Sequence, residues 1–440
     1  MVNFYKLFLR DGAHARGSIT YYVACISMII IPVYYWYLPP VMILWFVLIL
    51  LDIRLFLAGL KNISLNYKIL FFSFILFYIW QIIGMLYSDN TDAGWRNIVL
   101  RLSLFLFPFV LILPGELIRK NVNKLLKIFS LSTFFFIVIC FGYAVYRSIN
   151  FKNGIWIFNP HPPIEDWLNY FYASEFAIFQ HPSYLSMYAL FSFFISSELF
   201  FDKKTYGIRK IFWLIEGVNL IISIYLLSSR AEILATFITI PVYFVYKFKI
   251  GDIKKILSLL ALLVLIFFFI LLPVLKSNPR FSHYFNDESK DQLTGELLKE
   301  SRLVIWKSSI NIVHNNFVFG VGTGDIQDEL NKEYQLEGVK VLAIANNLNA
   351  HNQFLEVLIE NGFIGILLFL WLFGIMLYVS LKEANTIYLM FILIAFISFL
   401  FETMLNRLAG VSFFPLFSFL LIHGDKKNLV TATDFNKRIE

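Results

Sequence analysis

The stretch KILFFSFILFYIWQIIGMLY, residues 68–87, is a continuous apolar run in which Lys68 at the start is the only charged residue. A run of about 20 apolar residues has the length that an α-helix needs to cross the hydrocarbon core of a bilayer. A helix is suited to that environment because it satisfies its backbone hydrogen bonds internally. We therefore predict that residues 68–87 form a transmembrane helix.

Similar runs recur along the whole chain and predict an all-α polytopic membrane protein with about twelve transmembrane helices. Of the 440 residues, 59% are hydrophobic and 15% are charged, whereas about a quarter of the residues in a soluble domain are charged. Cys25 and Cys140 both lie inside apolar runs, so we expect neither a disulfide framework nor a cysteine metal site. The predicted spans are 19–37, 39–60, 68–87, 98–114, 126–147, 182–201, 211–228, 231–247, 256–275, 363–381, 385–403 and 408–422.

Basic residues concentrate in alternate connections between these spans, and this asymmetry predicts the orientation of the chain. Lys and Arg accumulate in the cytoplasmic loops of membrane proteins. The connection after span six contains Lys203, Lys204, Arg209 and Lys210, whereas the next connection contains only Arg230. We therefore predict that both termini are cytoplasmic. The net charge of +7 follows from these clusters, so we expect membrane lipids and no nucleic acid as partners.

Three parts follow from this topology: a membrane domain over 1–275, an extracytoplasmic loop with an interfacial helix over 276–362, and spans ten to twelve with a cytoplasmic tail over 363–440. The large loop between spans nine and ten contains a helical pattern from Glu296 to Val313 and a Gly-rich turn at Gly320–Gly324. The turn lacks the Lys-Ser/Thr of a phosphate loop. We expect the loop to cap the membrane domain.

A second outside segment, residues 148–181, is rich in aromatic residues and prolines. Trp and Tyr accumulate at the boundary between membrane and water. We therefore expect this segment to lie at the membrane interface.

Three polar positions stand out in the predicted outside segments: Arg230, Arg302 and His351. Each has an ordinary structural interpretation. An Arg near a membrane often anchors lipid headgroups, and a His beside a helix start is usually structural or makes a polar contact at the helix N-terminus. Arg302 could also pair with Glu296 or Glu300 on the surface of the loop.

The segment HNQFLEVLIENG, residues 351–362, opens span ten. In it Glu356 and Glu360 are four residues apart and share one helix face. The two glutamates could solubilise that helix or support a site, and Gly362 is a natural break before the membrane helix.

Together these segments resemble the O-antigen ligase and polymerase superfamily of bacterial membrane glycosyltransferases. The strongest similarity is HNQFLEVLIENGFIGILLFL, His351–Leu370, with its His-Asn start, spaced Leu and Glu residues and two Gly before an apolar helix. Ser229-Arg230 and the stretch from Arg302 through Trp306 to Gly320-Val321-Gly322 are similar to two further landmarks, in the right order. His181-Pro182-Ser183-Tyr184 is also similar to a segment of relatives in this superfamily.

The resemblance implies transfer of a glycan from undecaprenyl diphosphate to an acceptor hydroxyl on the periplasmic side of the bacterial inner membrane. Arg230 and Arg302 are then expected to bind the diphosphate and stabilise the charge on the leaving group. His351 is expected to accept the proton of the hydroxyl or to orient the acceptor. Asn352, Glu356 and Glu360 are expected to support these residues, and Arg101 is a lesser candidate for the same anionic cavity.

The acceptor separates the alternatives within the family. In a ligase it is a lipid A–core sugar, in a polymerase a growing lipid-linked repeat unit, and a third type glycosylates protein hydroxyls. The shared signature does not distinguish them, and the large loop slightly favours the ligase. Direct attack predicts inversion at the anomeric carbon. The outside loops lack an Asp-x-Asp motif, so we expect neither a metal nor a cofactor.

A secondary transporter is the alternative of a different class, since a count of twelve spans is common among transporters. Many transporters have paired half-chain repeats and helices interrupted by Gly or Pro at matching positions. The sequence shows neither feature, and few acidic residues lie in the middle of the predicted spans.

Overall fold

The computed structural model describes residues 12–50, 63–111, 115–152, 154–161, 168–252, 254–255, 258, 295–336 and 347–422. This part of the chain is mostly helical. Its first helices are α1 Gly12–Tyr34, α2 Leu38–Leu50, α3 Leu65–Met85, α4 Thr91–Leu100, α5 Leu102–Val110, α6 Gly115–Ser148 and α7 Ala173–Phe176. The later ones are α8 Pro182–Phe201, α9 Ile208–Leu227, α10 Arg230–Lys247, α11 Gly295–Asn315, α12 Ile326–Leu336, α13 Gln353–Lys382, α14 Thr386–Phe401 and α15 Leu408–Leu421.

Seven helical segments within the described residues are long and apolar enough to cross a membrane. The predicted span 182–201 coincides with α8, and spans 68–87 and 211–228 differ from α3 and α9 by one to three residues at the ends. Two shorter apolar helices, α14 and α15, occupy the last two predicted spans. The predicted span 256–275 falls almost entirely outside the described residues. The count of twelve therefore stays a prediction.

A β-hairpin departs from the all-α prediction. Strands β1 Ile149–Lys152 and β2 Ile155–Phe158 pair antiparallel, with Phe151 opposite Trp156. Aromatic and β-branched side chains favour strands, and Gly154, at φ +80°, adopts the backbone conformation that the turn needs. The hairpin follows α6 directly, and its apolar side chains are exposed.

The predicted span 98–114 begins earlier and is broken. The Asn90 side chain accepts a hydrogen bond from Ala93 N at 3.0 Å and caps α4, so the helix starts in a polar segment that hydropathy excludes. At Arg101 the backbone leaves helical geometry, with φ −89° and ψ 8°, and α5 continues from Leu102. Two consecutive helices thus replace the single predicted one.

The Gly-rich turn joins residues 295–336, here called the cap segment, to the membrane helices. Val321 N donates to Ile359 O at 2.8 Å, and Gly322 N donates to Glu360 O at 3.0 Å. Thr323 Oγ1 donates to the carbonyl of Gln81 in α3 at 2.6 Å. The helix predicted over Glu296–Val313 is present as α11. Residues 320–324 therefore form a turn, as predicted. The same turn also docks the cap segment on α3 and α13 through these hydrogen bonds.

A kink in α13 makes this docking possible. Gly362 has φ +64° and ψ −162° within an otherwise continuous helix, as the predicted break at this glycine requires. Phe363 N, directly after the kink, donates to Phe317 O at 2.7 Å. The kink therefore frees backbone groups of α13 to bond the cap segment.

Phenylalanine rings form the core between the membrane helices. Phe417 of α15 lies 4.8 Å from the Phe129 ring of α6 and 5.0 Å from the Phe191 ring of α8, measured between centroids. Helices in lipid associate largely through such van der Waals packing. This core holds α6, α8 and α15 together beneath the polar end described next.

Candidate functional site

His351 lies at the entry to α13, in a backbone conformation that is uncommon for a residue with a side chain. Its φ is +46°, and its N–H donates to Asn349 Oδ1 at 3.1 Å. Asn352 caps the helix, because its Oδ1 accepts from Phe354 N at 2.9 Å and from Leu355 N at 3.1 Å. The capping residue thereby fixes the backbone next to His351.

Glu402 faces His351 from the end of α14. His351 Nδ1 lies 3.4 Å from Glu402 Oε2, and the two side chains are 27% and 22% exposed, so solvent or a substrate can reach both. Glu402 was not among the predicted site residues. The sequence feature that could have identified it is an ionisable residue at the end of a strongly apolar span, since ionisable residues within membrane spans often have a function.

Arg230 is the first residue of α10 and is half-buried. The preceding Ser228 has φ +54°, which turns the chain sharply between α9 and α10. Glu232, in the first turn of α10, is fully buried and accepts a hydrogen bond from Ser398 Oγ of α14 at 2.6 Å. Because Ser398 lies one turn before Glu402, this bond sets the start of α10 against the helix end that carries Glu402.

A buried ionic network lies behind His351. Arg101 Nη1 is 2.5 Å from Glu360 Oε1, and the two side chains are 2% and 0% exposed. Arg101 Nη2 donates to Asn406 Oδ1 at 2.7 Å. Asn406 Nδ2 in turn donates to Glu356 Oε1 at 2.6 Å. A desolvated charge is stable only when it is paired and hydrogen-bonded, and this network meets that condition for Arg101.

Glu356 connects the network to the backbone that carries His351. Its Oε2 accepts from Ala350 N at 3.1 Å. Gln353 Oε1 accepts from Leu405 N at 2.7 Å, which ties the same turn of α13 to the 3-10 helix Met404–Asn406. The interpretation of Glu356 and Glu360 as helix solubilisers is therefore wrong, because both side chains are buried.

The cap segment donates hydrogen bonds to the backbone of the residues just before His351. Trp306 Nε1 of α11 donates to Ala350 O at 3.1 Å. Burial raises the pKa of Tyr334, so its hydroxyl stays protonated and donates to Leu348 O at 3.1 Å. Arg302 lies in α11, one helical turn before Trp306. Its suggested pairing with Glu296 or Glu300 lies outside the described side chains.

The segment from His181 to Tyr184 lies at the same end of the molecule. His181 Nδ1 accepts from Ser183 N at 3.4 Å and caps α8. The Tyr184 hydroxyl donates to Met404 O at 3.5 Å. Met404 is two residues after Glu402, so the start of α8 adjoins the turn that carries this carboxylate.

A cavity of about 420 Å³ between α12 and the start of α4 is lined mainly by acidic residues, among them Asp89, Asp325 and Asp328. Asp325 already accepts hydrogen bonds from the backbone N–H groups of Asp89 and Asn90, at 2.8 and 2.7 Å. Asp328 accepts from the Asn90 side chain at 2.8 Å. These carboxylates thus serve to join α12 to α4.

Residues 217–370 match the family model of the O-antigen ligases. This match, over about a third of the chain, supports the O-antigen ligase superfamily. The matched segment runs from α9 into α13 and contains Arg230, Arg302 and His351, whereas Arg101 and Glu402 lie outside it. The family supports a membrane glycosyltransferase-like enzyme of the ligase or polymerase type that uses lipid-linked glycans. No curated protein matches the chain significantly.

Proposed function

We propose that this protein is an O-antigen ligase-like glycosyltransferase that moves a glycan from undecaprenyl diphosphate to a sugar hydroxyl of lipid A–core. The reaction takes place on the periplasmic side of the inner membrane, inverts the anomeric centre and needs no metal. The observation that carries the proposal is the His351–Glu402 pair, 3.4 Å apart, beside the start of α10, where Arg230 lies.

His351 is the proposed acceptor of the proton. The acceptor oxygen attacks the anomeric carbon, the bond from that carbon to the diphosphate oxygen breaks, and the hydroxyl proton moves to His351 Nε2. With its hydrogen on Nδ1, the imidazole donates to Glu402 and leaves Nε2 free to accept. The Glu402 carboxylate then stabilises the imidazolium that forms, and it fixes the ring orientation. Glu402 is thus a positioning residue.

Arg230 and Arg302 are the proposed partners of the diphosphate. A guanidinium presents N–H donors in a planar fork that matches two phosphate oxygens. Negative charge on the diphosphate grows as the glycosidic oxygen departs, so contacts to it strengthen in the transition state. The position of Arg230 at the N-terminus of α10 adds the positive end of a helix dipole.

The test offers the purified protein an undecaprenyl-diphosphate-linked glycan together with lipid A–core and separates the products by gel and mass. Glycan on lipid A–core supports the ligase. Longer glycan that remains on undecaprenyl would instead identify a polymerase that uses the same residues. If a donor from a matched organism gives neither product, glycan transfer is the wrong function.

Variants of the same protein test the site. We expect Arg230→Ala, Arg302→Ala and His351→Ala to lower kcat by about 100-fold or more. Glu402→Gln should lower kcat with little change in KM, and Glu402→Asp should recover part of the loss. Arg96→Ala and Lys307→Ala are the matched controls, because both residues are exposed cations on α4 and α11. Full activity of Arg302→Ala and His351→Ala would exclude the proposed site.

A further inference from the structure

A cavity of about 410 Å³ opens between α6 and α9, a volume in the range of small-molecule sites. Among the described residues, its lining contains two cations, Lys127 and Arg209, and no acidic residue. The remaining lining side chains are apolar and include Leu131, Phe135 and Trp213. The proposed glycosyl transfer uses none of these residues.

The cavity lies at the end of the bundle opposite His351. Helix α6 runs from this cavity towards the hairpin, and α9 runs from it towards Arg230. The candidate span Lys120–Ser148 has 29 residues, more than the roughly 20 that cross the hydrocarbon core. Its first turns therefore extend to headgroup depth, where Arg209 also lies as the second residue of its span.

The two cations are placed to bind a phosphate. The Lys127 ammonium lies 5.1 Å from the centroid of the Trp213 ring, and this cation–π contact holds the charge at the cavity. Arg209 is exposed and adds a guanidinium fork from the facing helix. Glu216 is fully buried behind them, where it accepts a hydrogen bond from Ser130 Oγ at 2.6 Å. Its carboxyl interacts electrostatically with Lys127 but does not line the cavity.

The apolar walls continue from the cations towards the middle of the membrane. Leu131 and Phe135 follow Lys127 at one and two helical turns, and Phe212 lies about one turn into α9. The Phe135 side chain is 55% exposed. A cationic rim above an apolar wall fits a phosphate that carries an acyl chain better than it fits a free anion.

We propose that this cavity binds an anionic phospholipid. The lipid phosphate lies between Lys127 and Arg209, and an acyl chain lies along Leu131 and Phe135. The proposal is independent of the glycosyltransferase function, because the cavity lies at the other end of the molecule.

Tryptophan quenching by brominated lipids tests the site on the purified full-length protein in detergent. The Trp213 signal is the difference between the wild-type protein and Trp213→Phe. We expect brominated phosphatidylglycerol to quench this signal at concentrations at least about tenfold lower than brominated phosphatidylcholine. Equal quenching by the two lipids would overturn the proposal, as would displacement of the anionic lipid by millimolar inorganic phosphate.

Two double variants that remove the same number of charges distinguish binding at Lys127 and Arg209 from nonspecific attraction to the basic residues at this end of the bundle. Lys127→Gln/Arg209→Gln should lose the preference for phosphatidylglycerol. Lys203→Gln/Lys204→Gln, which removes two exposed charges between α8 and α9, should keep it. Retained preference in the first variant, or loss in both, would overturn the assignment. If the first double variant does not fold, Arg209→Gln alone gives the same test.

Discussion

At the scale of single residues, breaking the buried Arg101–Glu360 ion pair should lower the free energy of unfolding strongly. Both groups are removed from water, and their charges are 2.5 Å apart. Taking away one member of a buried pair leaves the other charge uncompensated. The pair also holds α13 against the break between α4 and α5, so its loss would reach the turn of α13 that supports His351.

We therefore expect Arg101→Gln to destabilise the protein by about 3–5 kcal/mol, because the fully buried Glu360 carboxyl loses its ionic partner. The double variant Arg101→Gln/Glu360→Gln should lose less than the sum of the two single variants. The measurement is unfolding of the purified protein in detergent. Arg96→Gln, an exposed arginine on the same helix as the break, should stay within about 0.5 kcal/mol of wild type. Strictly additive losses would show that the pair is not coupled.

Sequence patterns located the family residues but not their partners. His351 and Arg230 stand in motifs that can be read locally. Arg101 was expected only as a lesser candidate for the anionic cavity, and in the structure it is buried in an ion pair. The difference arises because its partners come from elements far apart along the chain, namely Gln81, Glu360 and Asn406. No periodicity within one segment reports such an encounter.

At the scale of elements, the kink at Gly362 joins the cap segment to the membrane domain. A Cβ at this position would collide with the carbonyl of Val318. The backbone there also has φ +64° and ψ −162°, a region that is essentially restricted to glycine. Both facts follow from the close approach of the cap segment, whose backbone bonds to α13 on either side of the kink.

Gly362→Ala should therefore destabilise the docking of the cap segment, with about 1–3 kcal/mol from backbone strain alone. Limited proteolysis within 295–336, compared with unfolding of the whole protein, measures this loss. Gly374→Ala is the control, because it lies in the same helix and a Cβ there meets no atom within 4 Å. Equal protease resistance of Gly362→Ala and Gly374→Ala would contradict the role of the kink.

Hydropathy predicted helices better than it predicted their ends. Helix α8, for example, starts and stops where the sequence indicates. The start of α4 was not predicted, because the helix begins in a polar turn capped by Asn90, ahead of the apolar run. The hairpin was not predicted, because its aromatic residues also fit an irregular segment at the membrane interface.

At the scale of the whole molecule, the polar residues of the site lie together at one end of the helix bundle. Arg147, at the end of α6, pairs with Glu175 Oε2 at 3.0 Å. The rings of Tyr172 and Tyr225 lie 5.9 Å apart between centroids and join this region to the end of α9. Ser398, His351 and Glu402 make the further contacts described above. The hairpin, the starts of α8 and α10, and the entry to α13 therefore share one face of the membrane.

The charge asymmetry predicts that this shared face is outside and that the cavity with Lys127 and Arg209 is inside. Single cysteines test this in a background that lacks Cys25 and Cys140, both replaced by alanine. Asn150→Cys in the hairpin and Lys203→Cys between α8 and α9 are exposed positions at opposite ends. In intact spheroplasts a membrane-impermeant maleimide should label Asn150→Cys and spare Lys203→Cys, while permeabilised cells label both. The reverse pattern would place His351 in the cytoplasm, where a lipid A–core acceptor on the periplasmic face could not reach it, and would exclude the proposed reaction.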